Sequence, residues 1–228
     1  MTQSDVASES SHNPNDLLKQ RNAFPDLRSG GRELSRQLES SRDIPDLVVL
    51  GIALGGLPVA LEVATHLQAP LDFVIIRRLL QPDGPGSDIC AVNVAGTLTI
   101  DDQIRPSSEP STPVELFING ALAELEQRAH TCRVGRAPLA LEGRTIILVD
   151  CGIRTGSTMK AALTALKKLG PKRIIGAVPV ASREGYAAIA PLCDELISLS
   201  QPEVFVNAGY WYRDFRRPGD DQVGELLA

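Results

Sequence analysis

Apolar residues along this chain fall into short unbroken runs, with amphipathic stretches between them. The runs are Asp46–Ile52 (D-L-V-V-L-G-I), Leu71–Ile76, Thr145–Val149 (T-I-I-L-V), Arg173–Val180 and Glu195–Leu199. Their length and their Val and Ile content predict strands, and an apolar run without alternation predicts a strand covered on both faces. Between the runs the period becomes that of a helix. Leu34 and Leu38 mark a helix that Ser29 can cap and that ends near Ser41. Val59, Val63 and Leu67 mark a second over Pro58–Leu67. Leu116, Leu122, Leu125 and Ala129 mark the buried side of a third, from Val114 to Cys132. Met159, Ala162, Leu163, Leu166 and Leu169 mark a fourth behind Ser157 and Thr158, and Glu184–Leu192 reads as a short fifth. Ile89–Ile100 alternates loosely and suggests a strand pair. Strands alternating with helices predict an α/β fold, with a mainly parallel five-stranded sheet and helices on both faces.

Other stretches carry no such pattern. Residues 1–22 are rich in Ser, Asn, Asp and Gln and read as a disordered N-terminal segment, which leaves one domain over 23–228. Leu80–Asp88 holds two Pro and two Gly and reads as a mobile loop. Pro106–Pro113 reads as a linker. The tail, Phe205–Arg217 (F-V-N-A-G-Y-W-Y-R-D-F-R-R), gathers the only Trp and two of the three Tyr. Two roles fit it: sealing the sheet edge, and offering a stacking surface for a flat ring.

Charge and cysteine content narrow the function classes. The formal net charge is −5 with no long basic run, which argues against non-specific nucleic-acid binding and against an anionic membrane surface. No apolar stretch approaches the length of a membrane span, and the polar N-terminus does not read as a signal peptide. Cys90, Cys132, Cys151 and Cys193 are scattered, so neither a disulfide framework nor a zinc site is expected, and a reducing cytoplasm is the natural compartment. His12, His66 and His130 lie far apart and read as surface or helix residues.

The chemistry concentrates in Thr145–Lys160, T-I-I-L-V-D-C-G-I-R-T-G-S-T-M-K. A strand ends in an acid, a Gly-bearing loop follows, and hydroxyls precede a helix. A helix start supplies unpaired N–H groups and the positive end of a dipole, so the stretch describes a phosphate site. It is neither a Walker P-loop nor the dinucleotide fingerprint. Gly55 and Gly56 follow the first strand, where a backbone must come close to something. Arg77 and Arg78 end the second strand, a place suited to phosphate oxygens.

The acid, the loop and the T-G-S-T ending resemble the phosphoribosyl-diphosphate (PRPP) loop of the type I phosphoribosyltransferases. The likeness extends from Ser29 to Leu227 and includes G-G-L-P-V-A, the basic pair, A-V-P-V-A and W-Y-R-D-F. It is similar above all to bacterial members of unassigned substrate. The resemblance implies the type I fold with a small hood built from the N-terminal segment and the tail. It implies that Asp150 orients the ribose and acts in catalysis. Arg154, Thr155, Gly156, Ser157 and Thr158 would hold the 5-phosphate, and Gly55, Gly56, Arg77 and Arg78 the diphosphate. Tyr210 and Trp211 would face the base in the hood. Mg²⁺ would bridge diphosphate and ribose hydroxyls, with no protein side chain as a direct ligand. The implied partners are PRPP and a nucleobase-like small molecule, without nucleic acid or membrane. A homodimer is carried as an expectation with no interface readable. Two departures stand out: Leu54 replaces an Arg common in relatives, and Cys151 takes the place of a second acid on the ribose side. They motivate a competing hypothesis, a non-catalytic PRPP or nucleotide sensor. A thiol hydrolase using Cys151 is weaker, because no His follows at a recognisable position and the G-x-S-x-G elbow is absent.

Overall fold

The computed structural model describes residues 23–79, 89–100 and 112–227. The N-terminal segment, the 80–88 loop and nearly all of the 106–113 linker lie outside the described residues. In chain order the elements are β1 (Phe24–Asp26), α1 (Leu27–Gln37), β2 (Leu47–Ile52), α2 (Gly56–Leu67), β3 (Leu71–Leu79), β4 (Ile89–Val94) and β5 (Thr97–Ile100). Then come α3 (Pro113–Arg133), β6 (Thr145–Val149), α4 (Ser157–Lys167), β7 (Arg173–Val180), α5 (Arg183–Ile189), β8 (Glu195–Ser200), β9 (Tyr212–Asp214) and α6 (Asp220–Leu227). None of the described helices is long and apolar enough to cross a membrane.

The main sheet has the order β5-β4-β3-β2-β6-β7-β8. β3, β2, β6, β7 and β8 are parallel, which is the expected five-stranded unit. The 89–100 pair adds two antiparallel strands at one edge and brings the sheet to seven. This extension exists because β3 runs on to Leu79, so that Arg77 and Arg78 lie within a strand, paired with Ala91 and Cys90.

Helices cover both faces. α4 and α5 close one face over Leu50, Val74, Ile146 and Leu148. α1 and α2 close the other over Val49, Ile147 and Ile175, and α3 with α6 continues that layer under Phe73 and Ile75. Three helix details differ from the sequence reading. The cap of α1 is Asp26, whose carboxylate accepts the Ser29 N–H at 2.6 Å, so the helix starts before Ser29. α2 starts at Gly56, two residues before Pro58. On α3 the buried stripe is Ile118, Ala121, Leu122, Leu125, Ala129 and Cys132, while Leu116 is 59% exposed. Leu116 stands two residues from Ile118, roughly 200° around the helix, so burial of one turns the other outward.

The hood is a second, two-stranded sheet. β1 and β9 pair in parallel, with Phe24 opposite Tyr212 and Asp26 opposite Asp214. Aromatic contacts consolidate it: Phe24 meets Tyr212 at 5.4 Å between ring centroids, and Tyr212 meets Phe215 at 5.3 Å. Of the two roles read for the tail, Trp211 takes packing: it is only 2% exposed and packs between Phe205 and Tyr210. Its burial assigns it to the hood's own packing, and Tyr210 at its edge is half-buried.

At the opposite, amino-terminal end of β3 stands a buried ion pair. Arg133 Nη1 donates to both Asp72 oxygens at 2.9 and 3.1 Å, and the guanidinium stacks 4.6 Å over Phe73. Asp72 also accepts the N–H groups of Phe73 and Leu139, which fastens α3 and the turn after it to the sheet. Removing one member of such a pair strands a buried charge. Arg133→Ala should therefore lower the unfolding free energy by ~3 kcal/mol, read as a reduced urea midpoint with an unchanged slope. An unchanged midpoint would show that the pair does not contribute.

Candidate active site

The site forms where β2 and β6 end and their helices begin. Gly56 opens α2 directly against the end of β6. A Cβ on Gly56 would stand 2.6 Å from the Val149 carbonyl oxygen and 2.9 Å from Asp150 Cα. No side chain fits there, so the glycine is required by the seating of one loop on the other. Gly55 and Gly56 are both buried in this contact. The expected close approach is thus to the neighbouring loop of the protein. The Ala53–Leu54 peptide is cis, and Leu54 packs into the apolar layer beside Leu57.

The 150–158 loop is pinned from outside. Ile153 N–H donates to Val180 O at 2.9 Å and Ser182 N–H donates to Ile153 O at 2.8 Å. The Ser182 hydroxyl donates to the Arg154 carbonyl and accepts the Gly185 N–H, so one side chain both caps α5 and holds the loop. At Gly156 the backbone adopts φ 82°, a conformation that L side chains avoid, and turns the chain into α4. Helices α1, α3 and α5 each have a side-chain cap. Neither α2 nor α4 has one. Both of these uncapped starts lie at this site, and the first N–H groups of α4 meet an open cavity.

That cavity holds about 110 Å³ and is lined by Arg78, Asp150 and Gly152–Met159. Thr155 and Ser157 hydroxyls lie 3.1 Å apart, and Arg78 Nη2 donates to Thr158 Oγ1 at 3.3 Å. It therefore brings together the residues named for the 5-phosphate, along with Asp150 and Arg78. Arg77 is not among them. Successive strand residues face opposite sides, and Arg77 points under the sheet to an ion pair with Glu124 of α3.

Asp150 is half-buried, and its Oδ1 accepts the Cys151 N–H at 2.7 Å. Burial pushes its carboxyl up to about 6, against the opposing pull of that N–H and of the Arg217 guanidinium. Cys151 does not reach the ribose side as expected. It is 5% exposed and packs with Val149, Val180 and Tyr212, its thiol directly beneath Gly55. A small apolar thiol suits that enclosed place, and burial raises its pKa well above the usual thiol range, with the Asp150 charge adding to the effect. The Cys151 carbonyl accepts the Tyr212 hydroxyl at 2.6 Å, which ties the hood to the loop. Burial raises the Tyr212 pKa too, so the hydroxyl stays a donor.

Sequence reasoning missed Ser182, Tyr212 and Arg217. Tyr212 lay in the aromatic tail already singled out, but nothing there identified a bond to Cys151. Ser182 shows only an ordinary capping pattern, and Arg217 only a basic residue at the tail's end.

Known proteins resemble this chain in sequence and fold. The family described as phosphoribosyl transferase domain matches residues 19–212. A Mycobacterium tuberculosis protein provisionally named a phosphoribosyl transferase is 36% identical over 205 residues, which is 90% of this chain and 46% of that protein. The chain thus spans about half the length of the curated relatives it matches there. A crystal structure of a Thermus thermophilus protein superposes with a TM-score of 0.73 at 32% identity, covering 90% of this chain and 97% of the other. A Neisseria gonorrhoeae protein solved with bound ppGpp shares the fold alone, with a TM-score of 0.51 at 16% identity over 91% of this chain and 94% of that one. On the match of residues 19–212 and the shared fold, the chain belongs to the phosphoribosyl transferase domain family.

Proposed function

We propose that this protein binds PRPP and transfers its phosphoribosyl group to a nitrogenous base, releasing diphosphate. The observation that carries the reading is the uncapped start of α4, opening with its hydroxyls and Arg78 on a cavity that Asp150 also lines. A 5-phosphate would take the α4 N–H groups and the hydroxyls of Thr155, Ser157 and Thr158. Asp150 would accept the ribose hydroxyls. A ring nitrogen of the base would attack ribose C1 as the C1–O bond to diphosphate breaks. The electron pair leaves with diphosphate, and the base gives up its N–H proton to solvent. No protein nucleophile is needed, so the chain's contribution is positioning and charge.

Mg²⁺ belongs to this proposal. Among the described residues Asp150 is the only carboxylate in the cavity lining, and no group of three His, Cys, Asp or Glu side chains suited to a metal stands there. Such a donor set fits an ion carried mainly by the ligand's own oxygens. When bound, it would supply charge neutralisation at the leaving diphosphate. A sensor that binds PRPP or a nucleotide without turnover is a second reading, favoured by a cavity lining whose described residues include one carboxylate, Asp150. Diphosphate release across a panel of nucleobases, with PRPP and Mg²⁺, separates the two. Release with one base supports transfer, and tight binding without release supports the sensor.

Three further measurements test the site. Thr155→Ala combined with Thr158→Ala should weaken PRPP binding by ~1 kcal/mol or more for each hydroxyl lost. Calorimetry finding equal affinity in the double variant would remove the 5-phosphate assignment.

The second concerns Asp150, whose folded pKa of about 6 lies above the ordinary 3.8. The folded protein then holds an extra proton between those values, and this stabilisation is lost as pH rises through 6. Asp150→Asn cannot lose it. The stability of the variant relative to wild type should grow by roughly 2 kcal/mol between acid and neutral pH. A difference that stays flat would mean that the carboxyl does not titrate in this range.

The third concerns Cys151→Asp, which would force a carboxylate beneath Gly55 and beside Asp150. It should destabilise the fold by several kcal/mol, roughly 3 or more, whereas Cys151→Ala is tolerated better. A Cys151→Asp protein as stable as wild type in thermal unfolding would contradict this placement.

A further inference from the structure

We propose that Arg217 is a second phosphate-binding cation of this site. It would hold the diphosphate end of a ligand whose 5-phosphate lies in the 154–158 loop, and the proposal rests on the PRPP reading above.

Arg217 follows the hood strand β9 and comes back over the loop after β2. Its Nε stands 3.4 Å from where a Cβ on Gly55 would be. The adjoining Gly56 position is 3.3 Å from Asp150 Oδ1 by the same measure. Arg217, the two glycines and Asp150 are therefore consecutive along one rim, with Arg78 and the 154–158 loop on the far side of Asp150. The guanidinium is also close enough to act on the Asp150 carboxyl through its charge.

The placement is held by packing. The guanidinium carbon sits 4.8 Å over the Phe215 ring. Phe215 stacks on Tyr212, and the Tyr212 hydroxyl bonds the Cys151 carbonyl, the residue after Asp150. An aromatic ladder thus sets the position of the cation relative to the loop. The planar face is occupied by Phe215, while the N–H edge is left to accept an anion.

Three other arginines are committed elsewhere. Arg28 is paired with Glu62, Arg77 with Glu124, and Arg216 with Asp214. Arg217 is exposed and makes no hydrogen bond or ion pair among the described residues. It also lines a cleft of about 560 Å³ between the starts of α1 and α2 and the helix α6, whose lining mixes Arg28 and Arg216 with Asp26, Asp214 and Glu225. A ligand with two separated anionic ends matches the two cations, Arg78 and Arg217, on either side of Asp150. The polyanionic end should then depend on Arg217, and the single 5-phosphate should not.

The test is calorimetry with two probes, PRPP and ribose 5-phosphate, on wild type, Arg217→Gln and Arg217→Lys, each checked for an unchanged thermal midpoint. Arg217→Gln should weaken PRPP about tenfold or more, as expected for a lost charge-assisted hydrogen bond, and leave ribose 5-phosphate within about twofold. Arg217→Lys should keep part of the PRPP affinity, since it retains charge without the planar fork. Equal PRPP binding in wild type and Arg217→Gln overturns the proposal while leaving the PRPP reading intact. Equal weakening of both probes also overturns it, because the effect would then be structural. If wild type binds neither probe, the PRPP reading fails and this proposal falls with it.

Discussion

The contact on which this architecture turns is backbone against backbone. The loop after β2 sits on the end of β6 so closely that position 56 has no room for a Cβ. The seating brings the start of α2 against the end of β6, whose loop leads into α4, and both helix starts lack side-chain caps. Elsewhere in the molecule Asp26, Thr112 and Ser182 satisfy helix starts in the ordinary way. At the start of α4 the uncapped N–H groups open on the cavity, where a ligand's anionic oxygens can satisfy them.

The same seating sets the electrostatics. Asp150 sits at the junction, partly enclosed by the 53–56 loop, and enclosure raises its pKa. Three features work in the other direction, the Cys151 N–H, the Cys151 thiol and the guanidinium of Arg217. A carboxyl with a pKa of about 6 beside an arginine can change protonation with its surroundings at low energetic cost. The residue beside it cannot share this role, because Cys151 is enclosed under Gly55 and its thiol stays protonated.

Much of this was legible in the sequence, for a physical reason in each case. Five continuous apolar runs specify strands buried on both faces, and those five are the parallel core of the sheet. The Asp150–Thr158 loop could be read because an acid, glycines and hydroxyls at fixed spacing serve one local purpose, and the cavity gathers them. What failed were statements about direction. Arg77 and Arg78 look equivalent in the chain, but strand geometry sends one to Glu124 and the other to Thr158. Cys151 and Trp211 looked available to a ligand, and tertiary packing enclosed both. Leu116 fell on the wrong side because the helical phase is fixed by the tightly packed positions that follow it. Contacts between distant segments, such as Tyr212 with Cys151, have no local signature at all.

The pairing of β1 with β9 joins residue 24 to residue 212, almost the full span of the described chain. On the ribosome, every strand of the main sheet is synthesised before Tyr212 emerges. The sheet can collapse early, but the hood, the hydroxyl tie to Cys151 and the seat of Arg217 must wait until residues 212–217 have been made. Closing so long a loop is entropically slow and comes after the local contacts have formed. A nascent chain therefore assembles its main sheet before it completes its binding site, and carries a half-built site until Arg217 leaves the tunnel.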